Sequence, residues 1–385
     1  MSEMVRLGDV VNVSASNLHL PDDDIWLLNL DMVEQQTGNI IDYNFVPKEK
    51  LNGSIIQFDT ENVLYSKLRP NLNKVVIPIM NGYATSEMLP LRPNLDFITK
   101  EYLCAYLRSD SFVTWAVSKT SGAKMPRLGT KELLSKTIPF PPLPEQRHIA
   151  AVLDKVSELI ALRKRQLDLL DEMVKARFVE MFGDPFSNPM KWERKRFKDV
   201  CTRLSDGPFG SNLKSEHYSE NGIRVIRLGN IGTGVFIDED KAFIPLEHYE
   251  KLKKYTCKTG EIIIGTLGEP NLRACLIPSE IGIAINKADC VHYIPIKELL
   301  NTRFVCQYIN SPETLLLAQT MIHGQTRTRI SSGQIGEMPI FIPPMELQTQ
   351  FADFVQQVEK SKAAVQQGLD RLNLLKSALM QEYFG

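Results

Sequence analysis

The sequence lacks long apolar runs, a secretion signal and cysteine pairs. No apolar stretch approaches the ~20 residues that a helix needs to cross a bilayer. The opening residues, MSEMVRLGDV, do not show the basic-then-apolar order of a signal peptide. The six cysteines are scattered without a C-x-x-C pair, a pattern that fits unpaired thiols in a reducing compartment. We therefore expect a cytoplasmic protein with no membrane segment.

Catalytic motifs and an excess of charge are also missing. The formal net charge is −1, so a nucleic-acid binder of this composition would need locally clustered positive charge. The sequence has no P-loop, and it has neither the glycine-rich loop nor the Asn/Asp-Pro-Pro-aromatic tetrad of a methyltransferase. Its histidines do not cluster with cysteines at metal-ligand spacing. Asp59, Glu61 and Lys67 do not have the acid-x-Lys spacing of a metal-dependent nuclease. We therefore predict no catalytic centre, metal or cofactor in this chain.

The sequence does contain an internal repeat. Sliding the chain by 202 positions aligns residues 102–183 with 304–385 without a gap, and 20 of the 82 paired positions are identical. The identities include a proline pair, a glutamine shortly after it and a closing Phe-Gly. VRLGDVV at 5–11 resembles KRFKDVC at 195–201 at the shorter offset of 190, so twelve extra residues lie inside the second copy. Two amphipathic helices alone would not align prolines and glycines in one register, so we interpret the chain as a tandem repeat.

A long helix is predicted after each proline pair, because proline is tolerated in the first turn of a helix but not in its interior. Residues 146–182 contain neither proline nor glycine, and apolar residues recur there every three or four positions. A seam this narrow is typical of a helix that packs on one partner helix, and about 37 residues would span ~55 Å. We predict that the two helices pair with each other. The pairing residues are Leu153, Val156, Ile160, Leu167, Leu170, Val174, Val355, Val358, Val365, Leu369, Leu372 and Leu379.

The sequence pattern of the remaining segments predicts two mixed α and β domains. Stretches such as SIIQFDTENVLYSKLRP and GEIIIGTLG predict strands, and TKEYLCAYLRSDSFVTWAVSK predicts a helix. The predicted fold class is α+β, with two related domains and two long helices. The boundaries are 1–142 for the first domain, 143–183 for its helix, 184–344 for the second domain and 345–385 for its helix.

Basic and amide side chains gather in loops of both domains where acids are scarce. No acid occurs between Glu61 and Glu87, nor between Glu313 and Glu337. Arg, Lys, Asn and Gln are the side chains that read base edges and hold phosphates. Arg127 and Arg329 fall at matching positions of the repeat, which favours a function for the clusters. The predicted DNA-binding residues are Lys67, Arg69, Asn71, Asn73, Lys74, Lys124, Arg127, Lys214, Arg224, Arg227, Asn230, Gln325, Arg327 and Arg329.

This organisation resembles the DNA specificity subunit of type I restriction–modification systems over essentially the whole chain. In that family a Pro-Pro-Leu-x-x-Gln run opens each of two helical regions, and here the runs are PPLPEQRHIA and PPMELQTQF. The stretch LSDGPFGSNLKSEHYSENGIRVIRLGNI also resembles the opening of a target recognition domain. In the second copy Glu346-Leu347 replace Pro144-Glu145, which departs from the motif but keeps Gln348.

The resemblance implies a division of labour. Each target recognition domain would read one half of a split sequence in double-stranded DNA, and the two helices would pair antiparallel and separate the domains. Two methyltransferase subunits would dock on the helices and bind S-adenosylmethionine. A separate restriction subunit would use ATP and Mg²⁺ to translocate and cut, so this chain would be non-catalytic. The prolines would fix where each domain ends, and each helix would then act as a ruler.

Two other classes of protein stay open at this stage. A self-contained DNA methyltransferase or nuclease would need the catalytic motifs that the sequence lacks. A coiled-coil adaptor with no DNA partner would have no reason to cluster Arg, Asn and Gln in loops of both domains.

Overall fold

The computed structural model describes residues 3–17, 24–51, 53–122, 124–321 and 329–385. The chain divides into two compact units, Met1–Arg165 with Gln366–Gly385, and Gln166–Val365. Both boundaries fall inside long helices, so each unit combines one globular domain with parts of two helices.

The described residues of the first unit form two four-stranded sheets and a two-stranded ribbon. Its strands are β1 (Met4–Arg6), β2 (Val11–Val13), β3 (Ile25–Leu28), β4 (Phe45–Val46), β5 (Ile55–Phe58), β6 (Val63–Ser66), β7 (Val75–Val76), β8 (Gly82–Thr85), β9 (Met88–Pro93) and β10 (Thr137–Pro139). Its helices are α1 (Leu7–Val10), α2 (Lys100–Leu107), α3 (Asp110–Ser118), α4 (Thr130–Ser135) and the part of α5 (Leu143–Phe182) up to Arg165. The strand orders are β2-β9-β6-β7, β4-β3-β8-β5 and β1-β10.

The second unit repeats this topology. Its strands are β11 (Glu193–Arg196), β12 (Cys201–Ser205), β13 (Ile223–Ile226), β14 (Phe243–Ile244), β15 (Thr256–Lys258), β16 (Ile262–Gly265), β17 (Arg273–Leu276), β18 (Ile283–Asn286), β19 (Cys290–Pro295) and β20 (Pro339–Ile342). Its helices are α6 (Leu246–Leu252), α7 (Thr302–Ile309), α8 (Pro312–Thr320), α9 (Ser332–Glu337) and the part of α10 (Met345–Phe384) up to Val365. The orders β12-β19-β16-β17, β14-β13-β18-β15 and β11-β20 confirm the predicted repeat of two mixed α/β domains.

The sheets explain why some strands are buried along their whole length. All four residues of β6 and all four of β16 are buried. Each of these strands lies inside its sheet, paired on both edges. Both faces are therefore covered, and the runs VLYS and IIIG lack the polar alternation of a half-exposed strand.

The prediction of one helix over residues 99–119 is wrong, because the chain forms α2 and α3 there. The hydroxyl of Ser109 accepts a hydrogen bond from the Phe112 N–H at 3.3 Å and starts the second helix. In the other unit the hydroxyl of Ser311 accepts from the Thr314 N–H at 3.2 Å, and Pro312 is the first residue of α8. A serine N-cap that satisfies a free N–H of the first turn favours a new helix over continuation.

The extra residues of the second copy can now be partly placed. The offset between the copies is 190 from β2 to β12 and 198 from β3 to β13. Eight of the extra residues therefore lie in the segment between β12 and β13, which contains the stretch DGPFGSNLKSEHYSENG.

A buried glutamine joins each long helix to its domain. Gln146 is fully buried, and its Oε1 accepts from the Thr99 N–H at 3.0 Å. Its Nε2 donates to the carbonyls of Phe97 at 2.9 Å and Pro141 at 2.8 Å. Gln348 makes the same three bonds, with the Asn301 N–H and the carbonyls of Leu299 and Pro343 at 2.8–2.9 Å. The glutamine of the repeated motif thus fixes the start of the helix against the domain.

Replacing Gln146 or Gln348 by Ala should destabilise the protein, because each change leaves three buried backbone groups without a partner. We expect the free energy of unfolding to fall by roughly 2–3 kcal/mol, measured by urea denaturation. The exposed Gln356 on α10 is the matched control, and its change to Ala should stay within about 0.5 kcal/mol. An equally small effect at Gln146 would contradict the structural role.

Each unit also buries the end of the helix that follows the other domain. In the first unit Phe384 of α10 packs on Tyr102 and Tyr106, with ring centroids 5.5 and 5.6 Å apart. In the second unit Phe182 of α5 packs on Phe304 at 4.9 Å and on Phe351 at 5.5 Å. Phe182 and Phe384 are equivalent in the repeat, so the start of one long helix lies beside the end of the other in both units. The helices therefore run antiparallel.

The structure places the predicted pairing residues on the less exposed side of these helices. Five are buried: Leu153, Val156, Val358, Val365 and Leu369. The others, Ile160, Leu167, Leu170, Val174, Val355, Leu372 and Leu379, are half-buried. Lys362 is a charged residue between the pairing residues Val358 and Val365. Its Nζ donates to Asp171 Oδ1 at 2.6 Å within the second unit.

The cysteines are unpaired, and all except Cys201 are buried. Burial raises the pKa of Cys275 and of Cys290 to about 12, so these thiols stay protonated. In the described part of the chain no helix is long and apolar enough to cross a membrane.

Candidate nucleic-acid interface

In the first unit a tight hairpin brings four of the predicted basic residues together. The backbones of Ser121 and Arg127 exchange two hydrogen bonds of 3.0 and 2.9 Å, with the exposed Lys124 in the loop between them. The hairpin lies along residues 67–69, because the Arg69 N–H donates to Pro126 O at 2.8 Å and the Leu128 N–H to Lys67 O at 2.9 Å. Lys67, Arg69, Lys124 and Arg127 thus share one surface, held by backbone bonds between distant segments.

The turn after Arg69 has two residues in the left-handed conformation and is bonded to the side chain of Gln36. Arg69 and Asn73 have φ of 49° and 50°, the left-handed conformation that asparagine tolerates better than most residues. Asn71 is exposed, and its carbonyl accepts from Gln36 Nε2 at 2.9 Å.

Two residues of this turn have side-chain contacts that differ from the predicted ones. The Asn73 side chain is buried and donates to Arg108 O at 3.0 Å. Lys74 Nζ donates to Leu30 O at 2.5 Å, and burial lowers its pKa. Both side chains hold the turn and are not directed to a nucleic acid, contrary to the prediction.

The second unit builds the same scaffold around Arg329. The Ile330 N–H donates to Thr266 O and the Thr266 N–H to Asp289 O, both at 3.1 Å. These bonds correspond to those from Leu128 to Lys67 and from Lys67 to Glu87, at 2.9 and 3.0 Å. Arg127 and Arg329 therefore occupy equivalent places in the two domains, as their matching repeat positions indicate.

A carboxylate accompanies each of these arginines. Arg127 Nε lies 3.2 and 3.1 Å from the two carboxylate oxygens of Glu87, and Nη2 lies 3.1 Å from Oε1. Hydrogen bonding to Glu87 raises the pKa of Arg127, which stays charged. Arg329 Nε lies 2.9 Å from Oδ1 of Asp289, and its guanidinium lies over the Phe209 ring at 5.6 Å. The sequence search missed these acids because they lie 40 residues before their arginines.

Two further predictions are corrected in the second unit. Arg224 is buried, donates to Asp238 Oδ1 at 2.7 Å and to Asp240 O at 3.1 Å, and has its pKa lowered by burial. Asn230 is fully buried, accepts from the Arg227 N–H at 2.9 Å and donates to Ile237 O and Asp240 O. These two side chains brace the segment 224–240 from inside and are not available to DNA.

The remaining candidates are Lys214, in the segment between β12 and β13, and Arg227, directly after β13. Arg227 pairs with Asp240, and its guanidinium lies over Tyr218 at 5.9 Å. Lys214 is exposed, 3.6 Å from Glu216. A Cβ on Gly207 would lie 2.2 Å from Asn286 O, so only glycine permits this close approach to the end of β18.

The sequence search missed Lys287 and Phe209. Lys287 Nζ lies 5.7 Å from the Tyr218 ring centroid, and Phe209 is exposed beside Arg329. An exposed Phe in a glycine-bounded loop was the available signal. Gln325 and Arg327 lie outside the described residues, so their predicted DNA contacts stay predictions.

Asp59, which lacks the acid-x-Lys spacing of a nuclease, has a structural role. Burial raises the pKa of Asp59, but hydrogen bonds from Arg92 and from the Glu61 N–H outweigh it, and the pKa lies below its usual value. Within the described ranges, no group of three His, Cys, Asp or Glu side chains is placed to hold a metal.

The paired basic loops on repeated α/β domains, joined by antiparallel helices, define a two-domain protein with a similar basic surface in each domain. Residues 2–172 and 189–374 match the family model described as type I restriction modification DNA specificity domain. The chain belongs to this family.

Curated relatives agree with this assignment. The chain is 26% identical over 196 residues to the type I restriction enzyme MjaVIII specificity subunit of Methanocaldococcus jannaschii, covering 48% of this chain and 44% of the relative. It is also 26% identical over 328 residues to the MjaIX specificity subunit of the same organism, covering 78% and 73%. The match thus spans less than half the length of the first relative.

One solved structure, from work on complex assembly and conformational transition of the type I R-M system, has a similar fold. It superposes with a TM-score of 0.60 at 17% identity, covering 99% of this chain and 97% of that one. At this identity the similarity concerns the fold.

Proposed function

We propose that this chain recognises a bipartite sequence in double-stranded DNA and scaffolds two methyltransferase subunits and the restriction subunits of a type I system. The observation that carries the proposal is the equivalent placement of Arg127 and Arg329 on matching backbone scaffolds. Two domains of one topology, each with a basic loop, suit two half-sites contacted in equivalent poses. The complex acts in the cytoplasm, where its DNA lies.

The cofactors of the reaction belong to the partners in this proposal. S-adenosylmethionine would be bound by the methyltransferase subunits, and ATP and Mg²⁺ by the restriction subunits. The near-neutral net charge fits this division, because the partners would supply part of the phosphate contact.

Methylome sequencing of cells that express this chain with its neighbouring methyltransferase tests the proposal. A methylated motif with two specified halves and an unspecified spacer is expected. A continuous motif, or methylation that does not depend on this chain, would refute it.

The purified chain should transfer no methyl group and cut no DNA on its own. The expectation rests on the missing catalytic motifs. Incubation with radiolabelled S-adenosylmethionine and target DNA checks it, with the assembled complex as the positive control. Label transfer by the pure chain would favour the self-contained methyltransferase instead.

Removing basic side chains of the candidate surface should weaken DNA binding by the assembled complex. Arg329→Ala should cost ~1–3 kcal/mol at the target if Arg329 reads a base. Lys67→Ala with Arg69→Ala should weaken all DNA alike and reduce the salt dependence if they hold phosphates. Lys297→Ala, an exposed lysine just beyond the other end of β19 from Asp289, is the control for lost charge. Unchanged affinity of the Arg329 variant would show that this surface does not contact DNA.

A further inference from the structure

The Arg127–Glu87 and Arg329–Asp289 pairs share more than their place in the repeat. The side chains of the two arginines are 43% and 41% exposed, and those of the two carboxylates are each 25% exposed. In both cases the acid comes directly before a central strand, β9 or β19. Each arginine is followed by a buried residue, Leu128 or Ile330. Each partner is therefore adjacent in the chain to a buried residue or a central strand of its domain.

The contacts in both pairs use the same edge of the guanidinium. Glu87 accepts hydrogen bonds from Nε and Nη2 of Arg127, and Asp289 forms an ion pair with Nε of Arg329 at 2.9 Å without the alignment of a hydrogen bond. Nη1 of each arginine makes no hydrogen bond within the part of the chain that the structure describes. Arginine presents several N–H groups in a fixed fork, so occupying the Nε edge leaves the far end directed away from the acid.

We propose that Glu87 and Asp289 are positioning residues that determine the specificity of DNA recognition, an inference that rests on the proposed function. Each carboxylate holds its arginine so that the far end of the guanidinium meets a base edge in the major groove. Guanine offers two neutral acceptors there, which suit a preoriented arginine.

The same carboxylate disfavours contact with the DNA backbone. A phosphate carries a full negative charge and is repelled by a partly exposed acid beside the arginine, whereas a base edge is not. Holding the long side chain in one rotamer also removes part of the entropy that binding would otherwise cost. Both effects raise the ratio of target affinity to non-target affinity.

The test compares Glu87→Gln and Asp289→Asn in the full chain, assembled with its methyltransferase subunits. The dissociation constant is measured for the target duplex and for a scrambled duplex. We expect weaker binding to the target, tighter binding to the scrambled duplex, and a specificity ratio that falls by about tenfold or more. Glu87→Asp and Asp289→Glu, which place in each copy the acid of the other, should keep most of the ratio.

Asp199→Asn is the control for charge. Asp199 also pairs with an exposed arginine, with Arg196 Nε 2.7 Å from Oδ2, and its change adds the same charge. If Asp199→Asn shifted both affinities as much as Glu87→Gln, only net charge would matter and the inference would be overturned. A lowered ratio that persists when Glu87→Gln is made in an Arg127→Ala chain, compared with Arg127→Ala alone, would also overturn it. If the unmodified complex did not distinguish the two duplexes, the proposed function itself would fail, independently of these variants.

Discussion

A fragment that ends at Gly183 should form a dimer in solution. The fragment keeps the first domain and all of α5 but lacks residues 366–385, which contribute Leu379, Met380, Tyr383 and Phe384 to the core of the first unit. Without them Tyr102 and Tyr106 lose their contacts with the ring of Phe384. Phe182 loses Phe304 and Phe351, the residues of the second unit on which it packs. Fully exposing one such aromatic side chain is unfavourable by roughly 1.5–3 kcal/mol.

Two copies of the fragment can restore both contacts at once. Phe182 of each copy would take the place that Phe384 holds in the intact chain, because the two are equivalent in the repeat. Ser111 Oγ donates to Phe384 O at 2.8 Å in the intact chain. In the dimer it would donate to the Phe182 carbonyl of the other copy. The helices would pair antiparallel about a true two-fold axis.

Sedimentation equilibrium at tens of micromolar measures the mass of the fragment. Phe182→Ala in the same fragment is the matched variant and should weaken the dimer, whereas Val179→Ala, at an exposed position of α5, should not. With methyltransferase subunits bound, the dimer should direct their methylation to an interrupted palindrome made of the first half-site. A monomer, or a motif whose halves differ, would show that the two units are not interchangeable.

Features set by local sequence or by the repeat were predictable. The proline pairs, the apolar seam and the matching glutamines predicted two long helices, and the strand-like runs predicted α/β domains. Gln146 stood out only as an identity between the copies, because two of its three bonding partners, Phe97 and Thr99, are 49 and 47 residues away in the chain.

The candidate surface was harder to predict, because an amide or cationic side chain in a loop can either bind a nucleic acid or bond to groups of the protein itself. Asn73 and Asn230 were predicted to read bases, but their side chains satisfy backbone groups of the protein, which is a common role of asparagine outside regular structure. Asn73 donates to the distant Arg108 O, and Asn230 accepts from the Arg227 N–H of its own turn and donates to Ile237 O. Arg224 looked exposed, yet it lies in a buried strand and pairs with Asp238. The acids Glu87 and Asp289 were beyond the reach of a search for local charge, since only the fold brings them to Arg127 and Arg329.

Lengthening both long helices by seven residues should lengthen the spacer of the recognised sequence by about three base pairs. The insertions belong between Arg165 and Gln166 in α5 and between Val365 and Gln366 in α10, where the two units divide. Seven residues preserve the period of the apolar seam and add ~10 Å to each helix. At 3.4 Å per base pair this corresponds to about three base pairs.

The two half-sites themselves should not change, because every predicted base-reading residue stays in its own domain. Methylome sequencing of cells that carry the lengthened chain measures the halves and the spacer together. An insertion in α5 alone is the control, and it should abolish methylation, because the seams on the two helices no longer match while each domain stays intact. An active complex with both insertions and the original spacer would refute the idea that helix length measures the distance between the half-sites.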